Sequence, residues 1–227
     1  GTAGPVVSDM IDDYPDTLAF ITIHDGDSYE VPWGTSRDAF YGAAWTPFSC
    51  HDGLEDGWPI NTYETKFLAR QAIPTDVTID MMVFGSGANF DVSATVCIEP
   101  TGTGKDLKIW MAQVVDHYGP VNFDRNMVQD GSAGQEITLA AGECAVVTES
   151  FVLNSVSQAS PDTVKFFAWA QNPTLVYDPQ VVYIAPNWYG AWFGEVYQGG
   201  KATAPFDGIF TDGFESGETL AWTSTTP

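Results

Sequence analysis

The fold is decided by residues 76–98, which read DVTIDMMVFGSGANFDVSATVCI. Apolar side chains recur there at every second position: Val77, Ile79, Met81 and Val83 come before a short joint, and Phe90, Val92, Ala94, Val96 and Ile98 follow it. A period of two predicts β-strands that bury one face and leave the other in water. The joint, residues 85–89, consists largely of Gly, Ser and Asn, which are typical of turns.

Four further runs with strand character follow this pair, at residues 107–116, 136–139, 144–153 and 164–171. Joints rich in Pro, Gly, Asn and Asp separate them, and no long helical pattern lies between them. Short strands at this spacing favour an antiparallel sandwich over a parallel sheet. We therefore predict a mainly β fold in which residues 75–206 form a β-sandwich.

The N-terminal residues have a different pattern. Residues 4–14 carry apolar side chains at helical spacing and predict an amphipathic helix. Thr17–His24 is almost continuously apolar, which is typical of a strand buried on both faces. We expect a short helix over Ser36–Tyr41 and an extended segment over Trp45–Cys50.

A third helix is predicted before residue 74. Asn61 and Glu64 match a capping box, and the helix continues through Phe67 and stops before Pro74. We place a domain boundary there, which gives an α/β unit over residues 1–74, the sandwich over 75–206 and a C-terminal extension over 207–227.

The order of helix, buried strand, helix and then a strand that opens with Thr46-Pro47 resembles the thioredoxin fold from its active-site helix onward. In that family the helix follows a Cys-x-x-Cys motif, and a proline that matches Pro47 is cis. Residues 1–4 contain no cysteine, and the strand that would precede them is absent. The resemblance therefore implies an incomplete thioredoxin-like domain, and the redox activity does not carry over without its cysteines.

The whole layout resembles a group of bacterial cell-surface and secreted proteins in which a thioredoxin-like domain precedes a β-sandwich. The segments that carry this likeness are residues 70–79, 137–143, 168–171 and 195–198. Residues 212–222 resemble a short segment at the end of many exported bacterial proteins, and also the first strand of some sugar-binding sandwiches. These likenesses imply an extracellular location, and the start at Gly1 is consistent with removal of a signal peptide.

Charge excludes several classes of partner. Thirty acidic and eight basic residues give a formal net charge of -22, and the basic residues are scattered along the sequence. Such a chain repels phosphate backbones and anionic lipid surfaces, so we expect no nucleic-acid partner. No apolar run approaches the roughly 20 residues needed to span a bilayer, so we expect no membrane insertion.

Three cysteines leave one unmatched. Cys97 and Cys144 both fall in predicted strands, and a disulfide between them would close a loop of about 47 residues and contribute on the order of 4 kcal/mol. The alternative is two buried thiols, because the sequence does not show whether the two Cβ atoms face each other. Cys50 is the third.

The densest cluster of titratable groups is His24, Asp25, Asp27 and Glu30. An imidazole with carboxylates can hold zinc or a transition metal, and the carboxylates alone could bind Ca²⁺. The spacing matches no standard motif, so a solvated loop is the alternative. Cys50 and His51 do not form a nucleophile and base, because neighbouring strand residues point to opposite faces.

Aromatic residues concentrate near the end of the sandwich. We predict an inserted loop over residues 186–194 whose Trp188, Tyr189, Trp192 and Phe193 form a contact surface for sugar or protein, together with Phe214 and Trp222 in the C-terminal extension. The alternative is that the rings fold back onto the sandwich.

The sequence contains none of the standard catalytic motifs that we searched for. We therefore expect a non-enzymatic, extracellular bacterial protein with a structural or adhesive role, whose partners are other copies of itself or a cell-surface glycan or protein. An unfilled slot beside Thr17–His24 could accept residues 209–227 of a neighbouring copy and build a fibre by strand addition. The alternatives are a thiol-disulfide oxidoreductase whose Cys-x-x-Cys lies upstream of Gly1, and a calcium- or glycan-binding module.

Overall fold

The computed structural model describes residues 3–42, 45, 47–56, 59–118 and 124–205. About 45% of the structure is strand, arranged in antiparallel sheets, and helices are few, which confirms the predicted mainly β fold. The helices are α1 (Ala3–Asp13), α2 (Pro32–Tyr41), α3 (Tyr63–Gln71) and α4 (Ser155–Ala159). The strands are β1 (Cys50–His51), β2 (Glu55–Asp56), β3 (Val77–Ser86), β4 (Asn89–Ile98), β5 (Lys105–Val115), β6 (Met127–Gly131), β7 (Gln135–Leu139), β8 (Cys144–Val152), β9 (Val164–Gln171), β10 (Val176–Ile184), β11 (Asn187–Phe193) and β12 (Val196–Thr203).

The sandwich consists of two antiparallel sheets. The first has the order β3-β4-β8, and the second has the order β12-β9-β5-β6, with β7 paired to the N-terminal half of β5. Alternate residues of both sheets meet in one buried core that includes Val92, Ile98, Leu107 and Phe166. The predicted strands at 76–98 pair in register from Val77 opposite Ile98 to Ser86 opposite Asn89. The turn between them needs Gly87, whose φ of 61° is a conformation that side chains disfavour.

A third layer covers the outer face of the second sheet. Ile21, Ile23 and Trp33 from the N-terminal residues pack against a small buried cluster that includes Val114 and Phe167. The Trp33 indole also donates a 2.8 Å hydrogen bond from Nε1 to the carbonyl of Ser132. The outward-facing residues of the second sheet are therefore buried although they lie outside the sandwich core.

A separate apolar cluster joins the N-terminal helices. Met10 and Ile11 of α1 pack with Tyr63 and Phe67 of α3. Helix α1 matches the predicted helix over residues 4–14, and α2 begins earlier than predicted because Pro32 occupies its first turn, where a missing N–H is tolerated.

The predicted strand over Thr17–His24 was wrong. The segment is extended, but its backbone pairs with a sheet at one position, a parallel bridge between Thr22 and Met127. Its apolar character has another cause, because Leu18 and Phe20 pack on the helical cluster whereas Ile21 and Ile23 pack on the second sheet. Residues 209–227, which we expected to add as a strand beside this segment, lie outside the described residues, so strand addition there stays a prediction.

Three smaller predictions concern residues 1–74 and their boundary. The capping box was wrong, because Asn61 lies inside the 3-10 turn Ile60–Thr62 and the residue that precedes α3 is Thr62. The peptide bond before Pro47 involves Thr46, which lies outside the described residues. The division at residue 74 stays a prediction. Helix α3 ends at Gln71 and β3 begins at Val77, on either side of it.

Candidate functional site

The predicted aromatic loop is an antiparallel hairpin. Strands β10 and β11 pair with each other from Val176 opposite Phe193 to Ile184 opposite Asn187, and a bulge between Asp178 and Val182 interrupts the register. Because alternate strand residues point to opposite faces, the aromatic residues of β11 divide into two sets.

One face of the hairpin carries two exposed tyrosine–tryptophan pairs. Tyr177 lies opposite Trp192 with ring centroids 5.0 Å apart, and Tyr183 lies opposite Trp188 with centroids 5.3 Å apart. The exposed fractions are 48% and 42% in the first pair and 54% and 53% in the second. Trp188 and Trp192 are four residues apart on one strand, so the two pairs are separated by roughly 13 Å.

Gly190 leaves room for the Tyr177 side chain on this face. It lies on the same face as Trp188 and Trp192, and a Cβ atom built on it would approach the Tyr177 hydroxyl to 2.5 Å and the Asp178 carbonyl oxygen to 2.4 Å. A side chain at this position would therefore displace the Tyr177 ring or the bulge. The four rings, with Gly190 between them, define what we call the aromatic face.

The opposite face of the hairpin is buried in its middle, whereas Val176 and Ile184 on the same face are exposed. Val182, Ala191 and Phe193 are all less than a tenth exposed, and Tyr189 is half-buried. Trp192 also lies close to the C-terminal end of α2, because a Cβ on Gly42 would contact its Cδ1 at 3.3 Å. The hairpin is thus held by the buried part of this face and by the contact of Trp192 with the end of α2.

The predicted contact surface is therefore divided by the structure. Trp188 and Trp192 are brought together on the aromatic face, whereas Tyr189 and Phe193 point to the opposite side of the strand. Phe214 and Trp222 lie outside the described residues. The sequence analysis did not include Tyr177 and Tyr183 in the contact surface. Recognising the segment as a hairpin would have placed each of them opposite a tryptophan of β11.

In the acidic loop after residue 24, Asp27 and Glu30 form different sets of hydrogen bonds. The Asp27 carboxylate lies 2.6 Å from Nδ1 of His24 and accepts a hydrogen bond from the Tyr29 amide. Burial opposes ionisation of Asp27, but these hydrogen bonds outweigh it and lower its pKa. Glu30 accepts from the Thr35 hydroxyl and the Gly26 amide, and both bonds lower its pKa.

These contacts do not assemble a metal centre. Among the residues that the structure describes, no group of three or more His, Cys, Asp or Glu side chains is placed to hold a metal ion. The carboxylates of Asp27 and Glu30 instead close the loop on itself, and Asp25 is exposed. Binding of Ca²⁺ or another metal by His24, Asp25, Asp27 and Glu30 stays a prediction.

The structure contains the disulfide between Cys97 and Cys144. The two residues are directly opposite each other on β4 and β8, on the face of the first sheet that points away from the core. Cys50 is not in a disulfide. Its neighbour His51 packs edge-on against Tyr63, and Nε2 of His51 lies 3.3 Å from the Ser49 hydroxyl.

Comparison with known proteins shows a fold relationship and no family. No protein-family model and no curated protein matches the sequence. HBP35 of Porphyromonas gingivalis has a similar structure, with a TM-score of 0.57 at 14% identity over 80% of this chain and 62% of that one. At this identity the likeness shows the fold alone, and the chain spans 62% of the length of HBP35.

Two matches to larger enzymes are weaker. A β-glucosidase from Kluyveromyces marxianus gives a TM-score of 0.28 at 8% identity over 58% of this chain and 15% of the enzyme. A GH3 β-glucosidase from Bifidobacterium adolescentis gives 0.27 at 12% identity over 66% of this chain and 21% of the enzyme. Scores this low support no argument about activity. Within the described ranges, no helix is both long and apolar enough to cross a bilayer.

Proposed function

We propose that this is a non-enzymatic, extracellular bacterial protein with an adhesive role, which binds a neutral glycan through the aromatic face. The observation that carries the proposal is the pair of exposed tyrosine–tryptophan contacts on one side of a hairpin whose other side is partly buried. Flat rings held in place bind the apolar faces of sugars with little loss of side-chain entropy.

Size favours a glycan over a protein partner. An aromatic side chain covers about 150–250 Å², and with half of each ring exposed the four rings offer on the order of 400 Å². A standard protein interface buries about 800 Å² on each partner. Two ring pairs roughly 13 Å apart instead suit a short run of sugar units.

Charge favours a neutral ligand. The net charge of -22 repels polyanions and also opposes close approach of a second copy. The disulfide supports an extracellular location, because such bonds persist in oxidising compartments. A neutral polysaccharide on a cell surface or in a matrix is the partner that meets both conditions.

The test is affinity electrophoresis in gels that contain a neutral polysaccharide, with xyloglucan, laminarin and a β-mannan as probes and polygalacturonate as the anionic comparison. We expect retardation by a neutral probe, and we expect Trp188→Ala to weaken that binding roughly 10-fold, or about 1.4 kcal/mol. Phe84→Ala is the matched control, because Phe84 is also an exposed aromatic (53%) but lies on the first sheet.

Two results would contradict this function. One is the absence of retardation by any neutral probe, and the other is equal retardation of the wild type and Trp188→Ala. Retardation by polygalacturonate alone would show that charge does not select the ligand in the way we propose.

A second candidate function is self-assembly through an edge of the first sheet. In the described part of the chain, β3 pairs only with β4, so its other edge is unpaired over 10 residues. Met82 and Phe84 on this strand are 52% and 53% exposed. A long edge strand with exposed apolar side chains is a template for pairing with another chain.

Sedimentation velocity at high protein concentration tests this assembly. We expect oligomers only at high salt, because the charge of each copy repels the other until it is screened. Met82→Lys is expected to abolish them by placing a charge on the edge strand. Leu68→Lys adds the same charge on α3, where Leu68 is 41% exposed and away from both edges of this sheet, and should leave them unchanged. A strictly monomeric wild type at high salt would refute strand addition at β3.

A further inference from the structure

A cavity of about 540 Å³ lies between α1 and the second sheet, away from the aromatic face. Its apolar wall is formed by Ile11, Leu18 and Phe167, and its basic wall is formed by Arg125, Lys165 and Lys201. Asp12, whose carboxylate is paired with Arg125, also lines the cavity. Small-molecule sites in proteins have volumes of about 300–1,000 Å³, and this cavity falls inside that range.

The basic wall is exceptional for this chain. The protein has eight basic residues and thirty acidic residues, yet three of the eight line this one cavity. Arg125 comes from the residues before β6, Lys165 from β9 and Lys201 from β12, so the fold brings together cations that are distant in sequence. In β9 and β12, Lys165 lies directly opposite Thr203, which also lines the cavity.

The buried carboxylate of Asp116 holds both Arg125 and Lys165 in place. The Asp116 oxygens accept hydrogen bonds from Nε and Nη2 of Arg125 at 2.6 and 3.2 Å and from Nζ of Lys165 at 2.6 Å. Arg125 also donates from Nη1 to Asp12 and Ser8, and Lys165 donates to the Asn126 side chain at 3.3 Å. The two cations are therefore positioned before any ligand arrives.

Lys201 is positioned by backbone oxygens. Its ammonium donates to the carbonyls of Pro15 and Leu18, which belong to the N-terminal layer. A guanidinium has five N–H donors and an ammonium has three. With described residues, Arg125 forms four hydrogen bonds, and the two lysines form two each. Each of the three side chains therefore has one N–H left for a further acceptor.

Lys201 and Lys165 also repel each other. The pKa of Lys201 is lowered by burial and by the charge of Lys165, against an opposing effect of Asp16. Among the described residues, no carboxylate accepts hydrogen bonds from both ammonium groups. Asp116 accepts from Lys165, whereas Lys201 donates to the carbonyls of Pro15 and Leu18. An anion bound between the lysines would relieve this repulsion.

We propose that this cavity binds a small organic carboxylate that has a hydrocarbon body. The carboxylate accepts the remaining N–H groups of Lys165 and Lys201, and the body packs against Leu18 and Phe167. The apolar wall selects such a ligand over an inorganic anion, and the basic wall selects it over a neutral molecule of the same shape. The site is separate from the aromatic face and does not depend on the glycan proposal.

Isothermal titration of the full chain with sodium hexanoate tests the site, with hexanamide and inorganic phosphate as comparisons. We expect hexanoate to bind at least 10-fold more tightly than either. Lys201→Gln is expected to weaken hexanoate binding roughly 10-fold, whereas Lys108→Gln, a control at a half-buried lysine of β5 outside the cavity, should leave it unchanged.

A second variant keeps the test decisive if Lys201→Gln impairs folding. Thr203 is exposed and lies opposite Lys165, so Thr203→Glu places a carboxylate where the ligand would bind and should also weaken hexanoate binding roughly 10-fold. Equal binding of hexanoate and hexanamide would overturn the proposal, because the site would then be only apolar. Binding of phosphate as tight as that of hexanoate, or no effect of either variant, would overturn it as well.

Discussion

Asp116→Asn is expected to lower the free energy of unfolding by about 3–5 kcal/mol, because it breaks a buried ion cluster and leaves Arg125 with a weaker set of partners. Asp116 is 5% exposed and accepts hydrogen bonds from Arg125, Lys165 and the backbone amides of His117 and Asn126. An asparagine keeps the shape of the side chain but loses its charge. Its NH₂ group is itself a donor, so it cannot accept the hydrogen bonds that Arg125 and Lys165 donate to Asp116. We expect Tm to fall by roughly 10 °C.

The stability lost in Asp116→Asn depends on pH. Burial alone would raise the pKa of Asp116, but hydrogen bonds and charges from Arg125 and Lys165 outweigh it and hold the pKa far below its ordinary value. A carboxyl group whose pKa is lowered by folding stabilises the protein above its unfolded pKa, which for Asp is about 3.9. That stabilisation is lost as pH falls below this value, because the unfolded chain then takes up the proton first.

Urea unfolding of the wild type and Asp116→Asn at pH 7, 5, 4 and 3 measures this contribution. We expect the difference between the two proteins to be full at pH 7 and 5 and to shrink at pH 4 and 3. Asp80→Asn, an exposed carboxylate on β3, should change stability by less than about 0.5 kcal/mol at every pH. A difference that stays constant down to pH 3 would refute the assigned role of the Asp116 charge.

Residues that alternate along a strand could be predicted from the sequence, because their burial depends on a local period. The strands at 76–98 formed as expected, and the same rule applied to Trp188, Gly190 and Trp192 would have predicted the aromatic face. We predicted an inserted loop over residues 186–194, a segment that contains Pro186, Gly190 and Gly194, residues typical of loops. Gly190 instead marks a close approach of Tyr177 inside a strand.

Contacts that depend on topology could not be predicted in this way. Arg125, Lys165 and Lys201 meet only because β9 pairs with both β5 and β12 and because the N-terminal residues cover the outer face of that sheet. The apolar run Thr17–His24 showed that the segment is buried on both sides, but a helical cluster on one side produces the same pattern as a neighbouring strand.

The anchor of α2 is the second position at which a single substitution should have a large effect. Arg37 is 3% exposed and its guanidinium lies over the rings of Phe40, Tyr41 and Trp110, 4.1–4.7 Å from their centroids. It donates from Nη2 to the Tyr41 hydroxyl and to Oε1 of Gln171, and no carboxylate of the described residues pairs with it. Burial lowers the pKa of Arg37, whereas Tyr41 and Cys50 oppose this shift, and the rings around it add cation–π contacts.

Arg37→Ala should lower the free energy of unfolding by about 3–5 kcal/mol, because it leaves a cavity and removes both hydrogen bonds. Arg37→Met fills the space without the charge, and we expect it to lose about 2 kcal/mol, since desolvated cation–π contacts contribute up to about 2 kcal/mol each and the cost of burying the charge offsets part of this.

Thermal unfolding followed by near-UV circular dichroism measures both variants, since Trp110 lies in the same cluster. Lys108→Met is the matched control, because the Lys108 ammonium lies 4.9 Å from the centroid of the same Trp110 ring but is paired with an exposed glutamate. We expect this control to change stability by no more than about 1 kcal/mol. If Arg37→Met were as stable as the wild type, the rings would not compensate for burial of the guanidinium, and α2 would be held to the sheet by apolar contacts such as those of Trp33 alone.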